Sequence, residues 1–222
     1  MILCSMCIHT AHSQFNNVQK GDIIDINGVN AMVFETSEDG HGTAICVKAL
    51  RGKKNVWGEN LKLLNSVEIN PNENGQTVTN RIINHIKENN LDISKFPAFE
   101  WCIKLGDGWF IPSAKELESF INFYLGNDQE YDWEDDGETF EETTILSKSE
   151  INEKFLSAGG TPFLGNAIKG AIVKMGIFTS TLTENGKIMV YQFNESKNSF
   201  QFKEVSPTKL DEYIVGRAFY KF

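Results

Sequence analysis

The stretch Trp101-Cys102-Ile103-Lys104-Leu105-Gly106-Asp107-Gly108-Trp109-Phe110-Ile111-Pro112-Ser113-Ala114-Lys115-Glu116-Leu117 decides how the chain reads, because one helix ends in it and another begins. Just upstream, Pro97 suits a first helical turn, where its missing N–H is not needed, and Phe99 to Leu105 supplies a buried face. Gly106 then offers the left-handed conformation that stops a helix. Ser113 and Glu116 have the spacing of a capping box, in which a hydroxyl and a carboxylate each satisfy a free N–H of the first turn. Behind them Leu117, Phe120, Ile121, Tyr124 and Leu125 fall at i, i+3, i+4, i+7 and i+8, a full apolar stripe.

Toward the N-terminus, Val78, Ile82 and Ile86 line one face of a helix near Thr77 to Glu88. Arg51 to Gly75 is polar and aperiodic, carries Trp57, and reads as a long surface excursion. Before it, Asp22 to Phe34 is a hairpin turned at Asn27-Gly28, residues that accept the positive φ of a type I′ turn. A second polar turn, Ser37 to Gly42, leads into a strand from Thr43 to Leu50. Toward the C-terminus, Ser147 and Glu150 repeat the capping box before Ile151 and Phe155, and Gly159-Gly160 ends that helix. Ile177 to Thr183 and Lys187 to Phe193 flank Asn185-Gly186, Phe200 to Val205 follows, and Tyr213 to Phe222 closes the chain. Ala167 to Val173 fits helix or strand equally. Strands at both ends with helices between them predict an α+β domain whose terminal strands share a sheet.

The chain of 222 residues is 41% hydrophobic and 23% charged, the composition of one globular domain. No run approaches the roughly 18 apolar residues of a membrane helix, so membrane insertion is not expected. Residues 1–13 differ: Ile2 to Ile8 is apolar, and Ala11-His12-Ser13 places small residues at −3 and −1 of a cleavage point. They read as a signal segment, leaving residues 14–222 as a single exported domain, periplasmic, surface-bound or secreted. Cys4, Cys7, His9 and His12 mimic a zinc knuckle, but they are crowded and belong to that leader. Cys46 and Cys102 remain, either paired in an oxidising compartment or buried as small hydrophobes.

The net charge is −9, and Asp128 to Glu142 holds nine acidic residues and no basic one. With no basic stripe to meet phosphates, nucleic acid is excluded as a partner, and cations or basic surfaces fit instead.

The stretch from Trp101 to Leu117 resembles the lectin-like C-terminal domain of bacterial collagen-like adhesins, where a helix precedes G-x-G-W-x-L-P-[ST]-x-x-E-L. The resemblance continues at Ile151 to Thr161, where a helix ends in Ala-Gly-Gly-Thr. It continues again at Thr179-Ser180-Thr181, against W-S-S-T, and at Val215-Gly216-Arg217-Ala218-Phe219, against V-R-A-V-R-x-F. Phe178 replaces the family's tryptophan, and Gly216 departs from the residue pattern usual in the last strand. The matches run in order from about Lys20 to Phe222. They imply a C-type-lectin-like fold: N- and C-terminal strands in one sheet, flanking helices and a long loop region that presents the ligand surface. In that frame Trp109 is a core anchor, and Arg217 holds a carboxylate or carbonyls.

The acidic segment supplies the candidate site. Asp132-Trp133-Glu134-Asp135-Asp136-Gly137 approaches the D-x-[DN]-x-[DN]-G start of a calcium loop, which makes Asp132, Asp135 and Asp136 the candidate metal ligands. Glu134 is longer than the usual third ligand and Thr143 stands at the twelfth position, so a complete EF-hand is not expected, and a solvated acidic loop is the simpler reading. Tyr131 and Trp133, with Glu134 and Asp135, are the candidate ligand contacts, since flat aromatic faces suit a sugar or peptide.

Catalysis finds little support. His41 sits in the turn Glu38-Asp39-Gly40-His41-Gly42, His85 sits on a helix, and neither has a nucleophile in its motif. Gly159, Gly160 and Gly165 lack the strand, Lys and spacing of a phosphate loop. The expectation is a non-catalytic domain that recognises carbohydrate or protein. The alternatives are a lectin-like enzyme related to the formylglycine-generating oxidoreductases, which use a cysteine pair, and a structural subunit of a surface assembly.

Overall fold

A computed structural model describes residues 15, 17–51, 56–58, 64, 67–126, 146–163, 176–194, 199–207, 210 and 214–222. In chain order the elements are β1 (Ile23–Ile26), β2 (Val29–Thr36), β3 (Gly42–Cys46), α1 (Gly75–Glu88), α2 (Pro97–Leu105) and α3 (Ala114–Leu125). After them come α4 (Lys148–Ser157), β4 (Gly176–Leu182), β5 (Ile188–Asn194), β6 (Ser199–Val205), β7 (Ile214–Val215) and β8 (Phe219–Lys221). The class is mixed, with one four-stranded sheet in the order β1-β2-β3-β8 and a second in the order β6-β5-β4-β7.

Local chemistry sets most boundaries. Asn27 and Gly28 take φ of 55° and 86°, which gives the type I′ turn between β1 and β2. Both capping boxes form, Ser113 with Glu116 on α3 and Ser147 with Glu150 on α4. Asn74 caps α1 by accepting from the Thr77 N–H at 2.8 Å. Along α3, Leu117, Phe120, Ile121 and Tyr124 are buried as the stripe predicts, but Leu125 is 37% exposed. It lies about 80° round the helix from Leu117 at ~100° per residue, at the margin of the stripe. Phe123 is buried instead, its ring 6.0 Å from that of Phe120.

The hairpin and the C-terminal strand do share a sheet, through β3: Thr43 faces Lys221, Ala44 faces Tyr220 and Ile45 faces Phe219. Two strand expectations need correction. The strand expected from Thr43 to Leu50 stops at Cys46: the Val47 N–H still donates to Asn30 O of β2 (3.1 Å), but Val47 O leaves the ladder and takes the Thr161 N–H (2.9 Å). Tyr213 to Phe222, described from Ile214, is not one strand. Ile214–Val215 runs parallel to β4 in the second sheet, Gly216 bridges Leu50, and only Phe219–Lys221 joins the first sheet. Gly216 permits the crossing: a Cβ there would lie 2.6 Å from Phe178 Cζ. The last segment is therefore the seam between the sheets.

The inner strands β2, β3, β4 and β5 bury residues on both faces. Ala31, Val33, Ala44, Cys46, Phe178 and Val190 pack into one core with α1 and α2, through Val78, Ile82, Phe99 and Cys102. Their alternating neighbours Met32, Phe34, Ile45, Ile177 and Tyr191 pack into a second core with α3 and α4, through Phe120, Ile151 and Phe155. Helices thus flank the sheets on both sides.

The expected surface excursion from Arg51 to Gly75 is also corrected, because Val56, Trp57 and Leu64 are buried. Trp57 meets the Phe99 ring edge-on at 5.5 Å, and its indole N–H donates to Thr179 O at 3.1 Å. An aperiodic segment supplies a core side chain here because Trp57 finds an acceptor for its one polar atom.

Candidate functional site

The motif residues converge on one buried junction. The Ser180 N–H donates to Pro112 O (2.8 Å), and the Ala114 N–H donates to Thr181 Oγ1 (2.8 Å). Thr179 turns its hydroxyl to Met189 O (2.8 Å). Phe110 and Phe219 exchange backbone hydrogen bonds at 3.0 and 2.8 Å, which ties the segment before α3 to β8. Trp109 is buried with its ring 5.4 Å from Tyr220, the core anchor expected of it.

Glu116 has a second duty that its capping-box spacing does not announce. Its Oε2 accepts from the N–H groups of Ser113 and of Gly75, each at 2.8 Å, so one carboxylate serves the N-termini of α3 and α1. Its Oε1 takes Lys221 Nζ at 2.8 Å. Burial acts to raise the Glu116 pKa, but Lys221 and the two N–H groups outweigh it and hold the carboxyl below its ordinary range. Only glycine fits at position 75, where a Cβ would lie 2.2 Å from Ile111 O.

Arg217 is fully buried and holds carbonyls, not a carboxylate. Nη1 donates to Val47 O (2.7 Å) and Cys46 O (3.4 Å), and Nη2 donates to Thr161 O (2.8 Å) and Pro162 O (2.7 Å). The rings of Phe155 and Phe163 lie 5.2 and 5.9 Å from its Cζ. Burial lowers its pKa to about 9, which leaves it charged at neutral pH. The guanidinium bolts the end of β3 and the exit from α4 to the C-terminal segment.

Cys46 and Cys102 are free thiols in the same core, the second of the two states open to them. Burial raises the pKa of both, which disfavours the thiolate that nucleophilic or metal chemistry needs. His41 is a turn histidine. Its Nδ1 lies 3.2 Å from Phe222 O, while the Ser37 hydroxyl sits 2.5 Å from Asp39 Oδ1 and 3.0 Å from His41 O. The serine therefore addresses the aspartate and a backbone carbonyl, and this is not a nucleophile–base pair.

A cleft of about 550 Å3 lies between the hairpin and α4. Ile23, Leu146 and Ala158 line it with apolar groups, and Asn30, Glu150, Glu153, Lys154 and Ser157 line it with polar and charged ones. Two cross-chain bonds hold its walls in place: Asn30 Nδ2 to Ala158 O (3.0 Å) and Lys154 Nζ to Gly21 O (3.0 Å). Glu150 and the Ile151 to Thr161 stretch supply one wall of this cleft, but Ile23 and Asn30, the other wall, lie more than a hundred residues away in the chain.

The sequence-derived site residues Tyr131, Asp132, Trp133, Glu134, Asp135 and Asp136 lie outside the described residues, as do residues 1–13 and Ala167 to Val173. Among the described residues no group of three or more His, Cys, Asp or Glu side chains is placed to hold a metal ion. No described helix is long and apolar enough to cross a membrane. Comparison with protein-family models, curated proteins and solved structures finds no match to the chain.

Proposed function

We propose that the chain is an exported, non-catalytic recognition domain of C-type-lectin-like build that binds a carbohydrate or protein ligand. The observation that carries this reading is the cleft between the hairpin and α4, where apolar side chains lie beside amide, hydroxyl, carboxylate and ammonium groups. That lining offers contact and orientation, the chemistry of a binding site. Trp109, Ser180, Arg217 and Phe219, from three of the adhesin-like motifs, are by contrast buried at the junction that closes the fold, in keeping with a structural role. The acidic segment belongs to the same proposal. Tyr131, Trp133, Glu134 and Asp135 would contact ligand, and Asp132, Asp135 and Asp136 would hold calcium, on a segment that leads in sequence to the cleft residue Leu146.

The test is an array of glycans and surface proteins probed with the domain and with Ser157→Trp. Ser157 is an exposed cleft residue, so the indole fills the cleft without touching the core. A saturable ligand that Ser157→Trp loses while its melting temperature stays unchanged is the expected result. Binding untouched by the substitution, or no binder on the array, would oppose the reading.

A further inference from the structure

β1 stands at the end of its sheet and, among the described residues, pairs only with β2. The Val33 N–H donates to Asp22 O at 2.9 Å, and an antiparallel pair alternates residues that bond across the ladder with residues that do not. Asp22, Ile24 and Ile26 therefore turn their backbone groups to β2, while Ile23 and Asp25 turn theirs to the open edge. The side chains of these two outward residues share a face with Met32 and Asn30, their partners in register. Ile23 is half-buried and Asp25 exposed, and Ile23 and Asn30 line the cleft beside α4. The open edge and the cleft thus adjoin.

We infer that the edge of β1 takes an extended segment of a partner protein as an added strand, with a basic side chain of that segment seated in the cleft. This rests on the reading of the cleft as a recognition site, and it makes the ligand there a peptide, not a carbohydrate. The outward N–H and C=O groups of Ile23 and Asp25 repeat every second residue, about 6.6–6.8 Å apart, which is the repeat of a pairing strand. Among the described residues that line the cleft there is no aromatic ring on which a sugar would stack. Charge selects a cation. Glu150 and Glu153 line the cleft, and Asp25 stands opposite Asn30 in the register. The ammonium in the same lining, on Lys154, is engaged with Gly21 O at 3.0 Å. A Lys or Arg of the added strand therefore meets carboxylates, and an acidic one meets repulsion. β1 is short and offers only Ile23 and Asp25 to a partner, so backbone pairing needs the side-chain contact in the cleft to hold.

The test selects short peptides from a random displayed library on the wild-type domain and carries the tightest one forward. By NMR hydrogen exchange, the Ile23 and Asp25 amides exchange fast in the free domain and slowly in the complex, while those of Ile24 and Ile26 are slow in both. N-methylation of the peptide weakens binding about tenfold or more at alternate positions only, because each lost N–H leaves an acceptor of the edge unpaired. Glu153→Lys weakens binding at least about threefold at low ionic strength, and the gap closes as salt rises. Slow exchange of Ile23 and Asp25 in the free domain, from its own chain or from a second copy, means the edge is already taken and overturns the inference. So does a library without a binder, a methylation profile without alternation, an affinity that Glu153→Lys leaves unchanged, or a peptide that protects another edge. A glycan that binds and is lost in Ser157→Trp, with no peptide binding, keeps the cleft as a recognition site and still overturns the peptide assignment.

Discussion

Glu116→Gln keeps the shape of a side chain that joins α1, α3 and β8 and removes only its charge. The carboxylate receives two backbone N–H groups at 2.8 Å and Lys221 Nζ at 2.8 Å, with 16% of its side chain exposed. Hydrogen bonds to a charged acceptor are worth about 1.5–3 kcal/mol and neutral ones about 0.5–1.5 kcal/mol, so the two amide bonds weaken by about 1 kcal/mol each. Lys221 is 40% exposed and turns to solvent, so its ion pair contributes about 1 kcal/mol at most. The loss is then about 2–3 kcal/mol, or roughly 4–12 °C in melting temperature for a chain of this size. The pH dependence has a definite sign. The folded carboxyl titrates below its unfolded value, so its contribution is complete above the unfolded pKa of about 4.3 and is lost as pH falls through the folded pKa. Urea denaturation of both proteins at neutral pH and in steps into acid should give a constant gap that narrows below about pH 4.3. A gap under about 0.5 kcal/mol at neutral pH, the scale of an ordinary surface substitution, would refute the reasoning. A gap of the expected size that acid leaves unchanged would refute it too.

Trp57→Phe removes the indole donor to Thr179 O and leaves a small void, at a cost of about 2–4 kcal/mol in denaturant unfolding. A loss under about 0.5 kcal/mol would return the segment to the surface. Cys46 and Cys102 should resist an aromatic disulfide reagent at about pH 8 and react once urea unfolds the chain, since burial raises both thiols. Rapid labelling of either residue in the folded protein, located by peptide mass, would contradict this. Calcium should change Trp133 fluorescence saturably at roughly millimolar concentration, and Asp132→Asn with Asp136→Asn should abolish the change. A response that survives both substitutions would remove the proposed ligands.

The parts of the fold legible in the sequence are those decided within a few residues. Asn27-Gly28 fixes a turn by its own φ preferences, and Ser113 with Glu116 or Ser147 with Glu150 fixes a helix start by side chains that reach their own backbone. What escaped depends on distant partners. The burial of Trp57 needs Phe99 and Thr179, and the break at Gly216 needs the Phe178 ring. The service of Glu116 to Gly75 crosses 41 residues. Arg217 was legible as a buried cation, but its choice of carbonyls over a carboxylate follows from where Val47 and Thr161 meet. The cleft combines Ile23 and Asn30 with Glu150 and Glu153, a set that no spacing rule connects.

Amide hydrogen exchange with and without a ligand taken from the array tests the recognition claim most directly, because it maps binding without altering the chain. The account predicts added protection across Ile23 to Asn30 and along α4 to Ala158, the two walls of the cleft, with the junction around Trp109 and Arg217 unchanged. Protection confined to other surfaces, with both walls of the cleft exchanging as in the free protein, would contradict it.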